Sequence, residues 1–591
     1  MRNRGFASAC KGAYLAYVTA VRAKQSTIYR AKPNPPAKAK RQPMSLPKLL
    51  HLASDTFKGG AESVFRNTIE ATLESKQFDI YVASCDELPP CGIANAHFLH
   101  LDDWQLYPKW RGAYKYIFNP TNYKRLKAFL FTIKPDIIHT QNYLSRLSPS
   151  VLFALQAYKA KHPKVKLIYT QHGFGPCANG GLYNYAKGQI CEKCIGHSKG
   201  LRIAYENCDR RGRIHSILKA LRSPFYQGAL LQEKELFDTI ICVGEFQRSK
   251  HIQDGWDSSK LITLTNPIET HFYNPHISLQ DKQDLLVFFG RLSPEKNVPL
   301  LLHAFANLLK LPRFSHYKLL IIGDGDDKPK CLELARELMP QASPKAKILE
   351  STFKKTQMDC HADFQSARND SKLDSTTSAT ILNKSAQDSR SFTQNAQNLS
   401  KQQAEAKLDS SKSPSDSKIL ELESGLFKAR KEDKTRGLST QRADEIHDSS
   451  PKAESLLSPL PYTFLPAHTP KELAAILAKA KLSILPSLWY ETFGLTIVES
   501  ILAGAIPIAS DLGAMQETIA SFYGKSFSFD PRQALQDSNV QSLEICIINT
   551  LDSYESEFAT LLQKREEIMQ NLHSHHYLKK LINLYLYGGG A

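Results

Sequence analysis

Residues 483–517 read S-I-L-P-S-L-W-Y-E-T-F-G-L-T-I-V-E-S-I-L-A-G-A-I-P-I-A-S-D-L-G-A-M-Q-E. The stretch starts in a short apolar run, residues 482–485, stopped by Pro486, the pattern of a strand buried on both faces of a parallel sheet. A polar turn follows. Gly494 opens a helix over residues 495–503 and Gly504 ends it. A second buried strand, residues 505–509, then runs into Ser510, Asp511, Leu512 and Gly513. The unit is strand, loop, helix, strand, and its loops lie at one end of a sheet.

Two carboxylates stand out, Glu491 before the helix and Glu499 within it, with seven residues between them. Glu499 falls among Ile497, Val498, Ile501 and Leu502, where an ionised group is costly unless something binds it. Free backbone N–H groups at Phe493, Gly494 and Leu495 would form an anion site at the helix N-terminus. Together these groups suit a diphosphate flanked by hydroxyls. The plainer alternative makes Glu491 a favourable first-turn carboxylate and Glu499 an exposed helix residue.

The stretch resembles the donor-site signature of the family-4 retaining glycosyltransferases of the GT-B fold: a Glu, seven residues, a second Glu, then a small-residue turn and a Pro-led strand. Here that second half reads A-G-A-I-P-I-A-S-D, with the Pro spacing shifted from the usual pattern. The resemblance implies that Glu491 contacts the donor sugar, that the amides of Phe493, Gly494 and Leu495 contact the pyrophosphate, and that Glu499 holds the ribose hydroxyls.

Working outward, 591 residues are too many for one core and imply two or more domains. With 42% hydrophobic residues the chain is globular in bulk, and no apolar run approaches the roughly 20 residues of a membrane-spanning helix. The net charge of +18 admits nucleic acid, a membrane surface or an anionic substrate as partner. Residues 1–48 hold eleven of the Lys and Arg and no Asp or Glu, so much of the excess is local. The segment has no apolar core long enough for a secretory signal. An organelle transit peptide, a flexible basic arm and a translation start at Met44 all fit it. The last is the preferred expectation, with residues 1–44 a basic leader outside the folded protein.

Residues 47–53, P-K-L-L-H-L-A, read as the first strand of a doubly wound domain, and Gly59-Gly60-Ala61-Glu62 leads into a helix. In the family resembled, this Gly-Gly loop faces the donor phosphates. Strand and helix signals then alternate through residues 78–83, 96–99, 123–133, 136–140, 149–161 and 166–170, which implies a parallel sheet covered by helices. The last strand delivers Gln171-His172-Gly173 to the carboxyl end of the sheet, where such sheets bind ligands. His172 matches the family's active-site His, which implies a donor-sugar contact facing Glu491.

An insertion over residues 174–225 carries Cys177, Cys191, Cys194 and Cys208, spaced by thirteen, two and thirteen residues. A C-x-x-C pair with two flanking thiols fits a structural four-sulfur zinc site; a redox pair, a disulfide arrangement or unrelated cysteines fit as well. A related Cys-rich loop occurs in some bacterial members of the family. Its basic residues and its place beside the cleft point to acceptor recognition or interaction. The remaining seven cysteines show no disulfide framework, which favours a reduced, cytoplasmic setting.

A second domain opens at residues 285–289, followed by Gly290-Arg291-Leu292-Ser293-Pro294-Glu295-Lys296-Asn297. Arg291 and Lys296 sit on a strand-to-helix loop where cations neutralise a diphosphate. The run matches the family's G-R-L-x-x-x-K-N signature, in which both side chains grip donor phosphates. The next strand, residues 318–322, ends in Gly323-Asp324-Gly325-Asp326-Asp327. A metal reading of that Asp-x-Asp is set aside, because it falls at the family's G-D-G turn. Residues 351–457 contain no Val, Tyr or Trp and are rich in Ser, Lys, Asp and Gln, so they read as a disordered insertion.

The expected fold is therefore α/β, GT-B, with two Rossmann-like domains across a cleft. Residues 45–270 form the acceptor domain, 271–350 with 458–570 the nucleotide-sugar domain, and 571–591 a helix returning to the first domain. The resemblance implies a hexosyltransferase-type enzyme that moves a sugar from a nucleotide-sugar donor to a glycan or lipid-linked acceptor with retention. It requires no cofactor for catalysis and serves cell-surface polysaccharide, lipopolysaccharide or glycolipid assembly, in the cytoplasm or peripherally on the inner membrane face. An epimerase or phosphorylase on the same fold is the enzymatic alternative. A basic nucleic-acid-binding protein is the other, disfavoured because aromatic residues do not interleave with the basic runs.

Overall fold

The structure is a computed structural model that describes residues 46–54, 60–90, 92–197, 200–267, 272–339, 461–531, 535–572 and 574–587. The basic leader and the low-complexity insertion of residues 351–457 lie outside the described residues. What is described is organised by two parallel sheets. The first takes β1 (Lys48–Leu52), β2 (Asp79–Ser84), β3 (Phe98–His100), β4 (Ile137–Gln141) and β5 (Lys166–Gln171). A two-stranded hairpin, β6 (Tyr183–Asn184) and β7 (Gln189–Ile190), interrupts it before β8 (Thr239–Cys242) and β9 (Leu261–Thr263). Its seven strands lie in the order β3-β2-β1-β4-β5-β8-β9. The second sheet holds β10 (Gln283–Phe289), β11 (Lys318–Ile322), β12 (Tyr462–Leu465), β13 (Ala480–Leu485), β14 (Ile506–Ser510) and β15 (Lys525–Phe527), in the order β12-β11-β10-β13-β14-β15.

Both orders run outward in two directions from a central pair, β1/β4 in the first sheet and β10/β13 in the second. That is the doubly wound topology of the GT-B fold, and each central pair is a switch point with a crevice outside its carboxyl ends. The sequence explains the second sheet directly. Leu285–Phe289, Leu319–Ile322, Leu482, Ile484 and Leu485 are all buried, as strands covered on both faces must be.

The helices that cover the sheets begin with α1 (Gly60–Ser75), α2 (Lys109–Ile117), α3 (Pro120–Ile133), α4 (Ser150–Lys159), α5 (Gly200–Glu206), α6 (Arg213–Arg222), α7 (Glu233–Leu236) and α8 (Glu245–Gln253). On the second sheet follow α9 (Val298–Leu309), α10 (Lys328–Glu337), α11 (Pro470–Lys479), α12 (Leu495–Ala503), α13 (Ala514–Ser521), α14 (Asp537–Asp552) and α15 (Tyr554–Leu572). The last helix, α16 (Ser574–Tyr587), packs on the first sheet, where Leu581 and Tyr585 join Leu49, Val82, Ile137 and Ile168 in one apolar cluster. Lys166 Nζ donates to the carbonyls of Tyr585 and Leu586, 2.8 Å each, and anchors its end.

Candidate donor site

The central strands of the second sheet pair Leu286 with Leu482 and Val287 with Ser483, so the loops after β10 and β13 emerge side by side. The first loop tightens into one short turn at Pro294–Lys296 and turns again at Asn297, left-handed at φ 51°, to start α9. Leu488 N–H donates to the carbonyl of Glu295 at 2.9 Å, tying the loops together. Lys296 therefore meets Glu491. Its ammonium donates to Glu491 Oε1, which also accepts from Trp489 Nε1 at 2.8 Å and Ser487 Oγ at 3.3 Å. Burial pushes the Glu491 carboxyl up, but the Lys296 charge and these three hydrogen bonds outweigh it and hold the group below its ordinary range. Glu491 is thus an ionised, oriented carboxylate, and Lys296 is placed by it.

Arg291 stands at the mouth of the same crevice, exposed, with no ion pair among the described residues. Leu292 N–H donates to the Asp324 carbonyl at 2.9 Å and braces its loop on the Gly-Asp-Gly turn. The acids of that turn are engaged with cations: Asp324 with Lys328 at 2.6 Å and Asp326 with Arg210 at 3.9 Å.

Gly494 takes φ 82°, a conformation that only glycine adopts without strain, and this turns the chain into α12. No side chain caps that N-terminus, which leaves first-turn N–H groups directed at the crevice. Phe493 is buried and its carbonyl accepts from Thr518 Oγ1. Ile497, Val498, Ile501 and Leu502 are buried, and Glu499 beside them is half-buried.

Across the cleft, His172 follows β5 and its Nε2 lies 2.9 Å from Gln141 Oε1 at the end of β4. Burial pushes its pKa down to about 4, so the ring is neutral at ordinary pH. With Nε2–H donating to Gln141, Nδ1 is left as an acceptor. Gly60 begins α1, and Gly59 lies outside the described residues. The loops after β1 and β4 are joined through Asn142, whose carbonyl accepts from Ser54 Oγ at 2.6 Å and whose Nδ2 donates to Glu62 Oε1 at 2.5 Å.

Contacts that sequence reasoning missed hold the two walls together. The backbone N–H groups of Glu245 and Phe246, opening α8, donate to the Glu517 carboxylate of α13 at 2.8 and 2.7 Å. A side chain at Gly181 would meet the Trp489 ring at 3.0 Å, and Tyr490 lies 4.8 Å from Phe246 between ring centroids. Trp489 and Ser487 had a signal, being within four residues of Glu491. Gln141 and Glu517 had none.

The structure lends no support to the zinc expectation for Cys177, Cys191, Cys194 and Cys208. A tetrahedral site needs all four sulfurs about 2.3 Å from one point. Among the described residues no group of three or more His, Cys, Asp or Glu could hold a metal ion. Cys177 packs with Phe174 and Leu182, Cys208 with Ala178, Ile203 and Ala220 in a separate cluster, and all four are free thiols. Cys194 donates to Cys177, which holds the Cys177 thiol down and raises its own.

Residues 58–272 match the family model described as Glycosyltransferase Family 4, and residues 272–344 and 453–543 match that described as Glycosyl transferases group 1. No curated protein matches the chain. Similar solved structures include Anabaena HepE in complex with UDP and glucose, 12% identical over 90% of this chain and 98% of that one, with a TM-score of 0.46. WaaG, a glycosyltransferase involved in lipopolysaccharide biosynthesis, is 11% identical over 91% and 100%, at 0.48. A glycosyltransferase from Rickettsia africae is 12% identical over 91% and 98%, at 0.47. With both sheets doubly wound and its two halves matched in order by these two models, the chain belongs to the family-4 glycosyltransferases of the GT-B fold.

Proposed function

We propose that the chain transfers a hexosyl group from a nucleoside-diphosphate sugar to the hydroxyl of a glycan or lipid-linked acceptor, with retention at the anomeric carbon, in cell-surface polysaccharide or glycolipid assembly. The observation that carries the reading is the Lys296–Glu491 pair at the switch point of the second sheet, beside the uncapped N-terminus of α12. A departing diphosphate needs positive charge that is already in place, and Arg291, Lys296 and the α12 amides supply it. Glu491, ionised and fixed by three donors, faces the sugar on which positive charge develops. Its carboxylate stabilises that charge without moving. Neutral His172 accepts from a sugar hydroxyl through Nδ1 and is not the acid. The bond from the anomeric carbon to the diphosphate oxygen breaks, the acceptor oxygen bonds to the same face, and the acceptor proton leaves with the diphosphate.

The test incubates the full chain with a panel of α-linked nucleoside-diphosphate sugars and simple acceptors, and reads product configuration by proton NMR. An α-linked product, with diphosphate release that depends on acceptor, is expected. A β-linked product overturns retention, and acceptor-independent turnover of the donor overturns transfer.

A further inference from the structure

Eight of the fifteen exposed large hydrophobic side chains among the described residues fall in three neighbouring stretches of the first domain, which takes them out of the class of scattered surface residues. On α2, Trp110 is 74% exposed and Tyr114, one turn on, stands on the same side. On α6, Ile214 is 73% exposed and Ile217 and Leu221 continue one stripe at helical spacing. Leu106 precedes α2, and α5 adds Leu201 and Tyr205, also one turn apart.

The inner sides of α2 and α6 are already satisfied by each other. Arg222 of α6 is buried, its guanidinium 4.0 Å from the centroid of the Tyr116 ring on α2, and its Nη1 donates to the Leu144 carbonyl at 3.1 Å. α5 packs along α6 in turn. The apolar stripes are what this three-helix layer leaves facing outward.

The charge of α2 and α6 has one sign, and the one acid of α5, Glu206, is paired with Lys187 at 2.6 Å and Lys193 at 2.8 Å. α2 contributes Lys109, Arg111 and Lys115, α6 contributes Arg213, Lys219 and Arg222, and neither helix contains Asp or Glu. The nearby acids are consumed, Asp102 by Lys115 at 3.0 Å and Asp209 by Lys219 at 2.7 Å. Lys109, Arg111 and Arg213 make no ion pair among the described residues. Two such faces docked about a two-fold axis would oppose like charges, and the chain's own residues 1–48, with eleven Lys and Arg and no acid, would be repelled. Nucleic acid answers the charge but has no use for Ile214, Ile217 and Leu221.

We propose that this face of α2 and α6, flanked by Leu106 and α5, is the surface by which the protein lies on an anionic phospholipid bilayer. Trp and Tyr seat at the headgroup level, the aliphatic stripes reach the acyl boundary, and the unpaired cations meet the lipid charge. The stretch that carries α5 and α6 also reaches the cleft, through Gly181 at Trp489 and Arg210 at Asp326. Docking there sets one wall of the cleft against the membrane. The proposal does not depend on which acceptor is used.

The test is flotation of the full chain with vesicles of phosphatidylcholine and of phosphatidylcholine mixed with phosphatidylglycerol. Binding is expected to the anionic vesicles, weakened by salt. The triple variant Trp110→Ser, Ile214→Ser, Ile217→Ser is expected to lower the partition coefficient about tenfold or more. Its melting temperature and nucleotide affinity should be unchanged. Brominated lipids should quench tryptophan emission less in Trp110→Phe than in the parent. Wild-type protein that ignores anionic vesicles, or a triple variant that floats as well as wild type through its basic leader, overturns the proposal. So does a triple variant that only loses a dimer or an oligonucleotide complex.

Discussion

The two sheets share one topology and bury opposite chemistry. The middle of the second is apolar: β10, β11, β13 and β14 pack Leu, Ile, Val and Phe, with the Asp284–Lys481 pair at the strand starts and Lys296 with Glu491 on the loops at the opposite end. The first buries a polar seam. His51, His139, Thr140, Gln141 and Thr170 are all enclosed, with His139 Nδ1 2.6 Å from Tyr585 Oη on α16 and Nε2 2.7 Å from Thr170 Oγ1. His51 Nε2 lies 3.0 Å from Thr72 Oγ1 on α1. The difference teaches where specificity comes from in each half. The second sheet is held mainly by non-directional burial, with few buried polar bonds such as Ser500 to Ser483. The first uses hydrogen bonds to fix which helices cover it, α16 among them.

This contrast can be broken most forcefully in the apolar sheet. Leu482→Ala removes a fully buried side chain between β10 and β14 and should cost about 2–5 kcal/mol, read as a shift of the urea midpoint at constant slope. The same variant should show no change in the pH dependence of stability. In the first sheet, Tyr585→Phe leaves His139 short of a partner and should cost about 1–3 kcal/mol.

Acid sharpens the comparison. Burial pushes His51 down to about 3 and His139 well below its ordinary value, and both are neutral in the folded protein. Between about pH 6.5 and 4 the unfolded chain binds protons that the folded chain refuses, so stability should fall with pH by about 1.4 kcal/mol per unit for each buried histidine. Above about pH 6.5 this contribution is flat. Urea titrations across that range in wild type and His51→Gln should differ in slope. Equal slopes would mean that the seam is hydrated.

The strand and helix pattern was legible where punctuation was strong. The helix over residues 495–503 is bounded by Gly494 and Gly504 and appears with those ends, and β11 matches residues 318–322. β13 begins two residues earlier than the expected 482, because Ala480 pairs with Gln283 of β10 by register rather than by apolar character. α2 and α6 were not foreseen, since their apolar stripes face outward and do not mark a core. The Lys296–Glu491 contact spans 195 positions, which no local pattern encodes; what pointed to those residues was their match to a family signature. At the cysteines spacing alone decided nothing, because thirteen intervening residues do not fix a distance in space; the fold brings the Cys194 thiol to that of Cys177.

The central claim is that the loops of the apolar sheet form one diphosphate site. Isothermal titration with a panel of nucleoside diphosphates tests it most directly, comparing wild type with Arg291→Ala, Lys296→Ala and Glu491→Gln. Each lost charge-assisted contact is worth about 1.5–3 kcal/mol, so both alanine variants should bind roughly ten- to a hundredfold more weakly. Glu491→Gln, which frees Lys296, should keep nucleotide affinity and lose turnover. Unchanged affinity in both Arg291→Ala and Lys296→Ala would contradict the account.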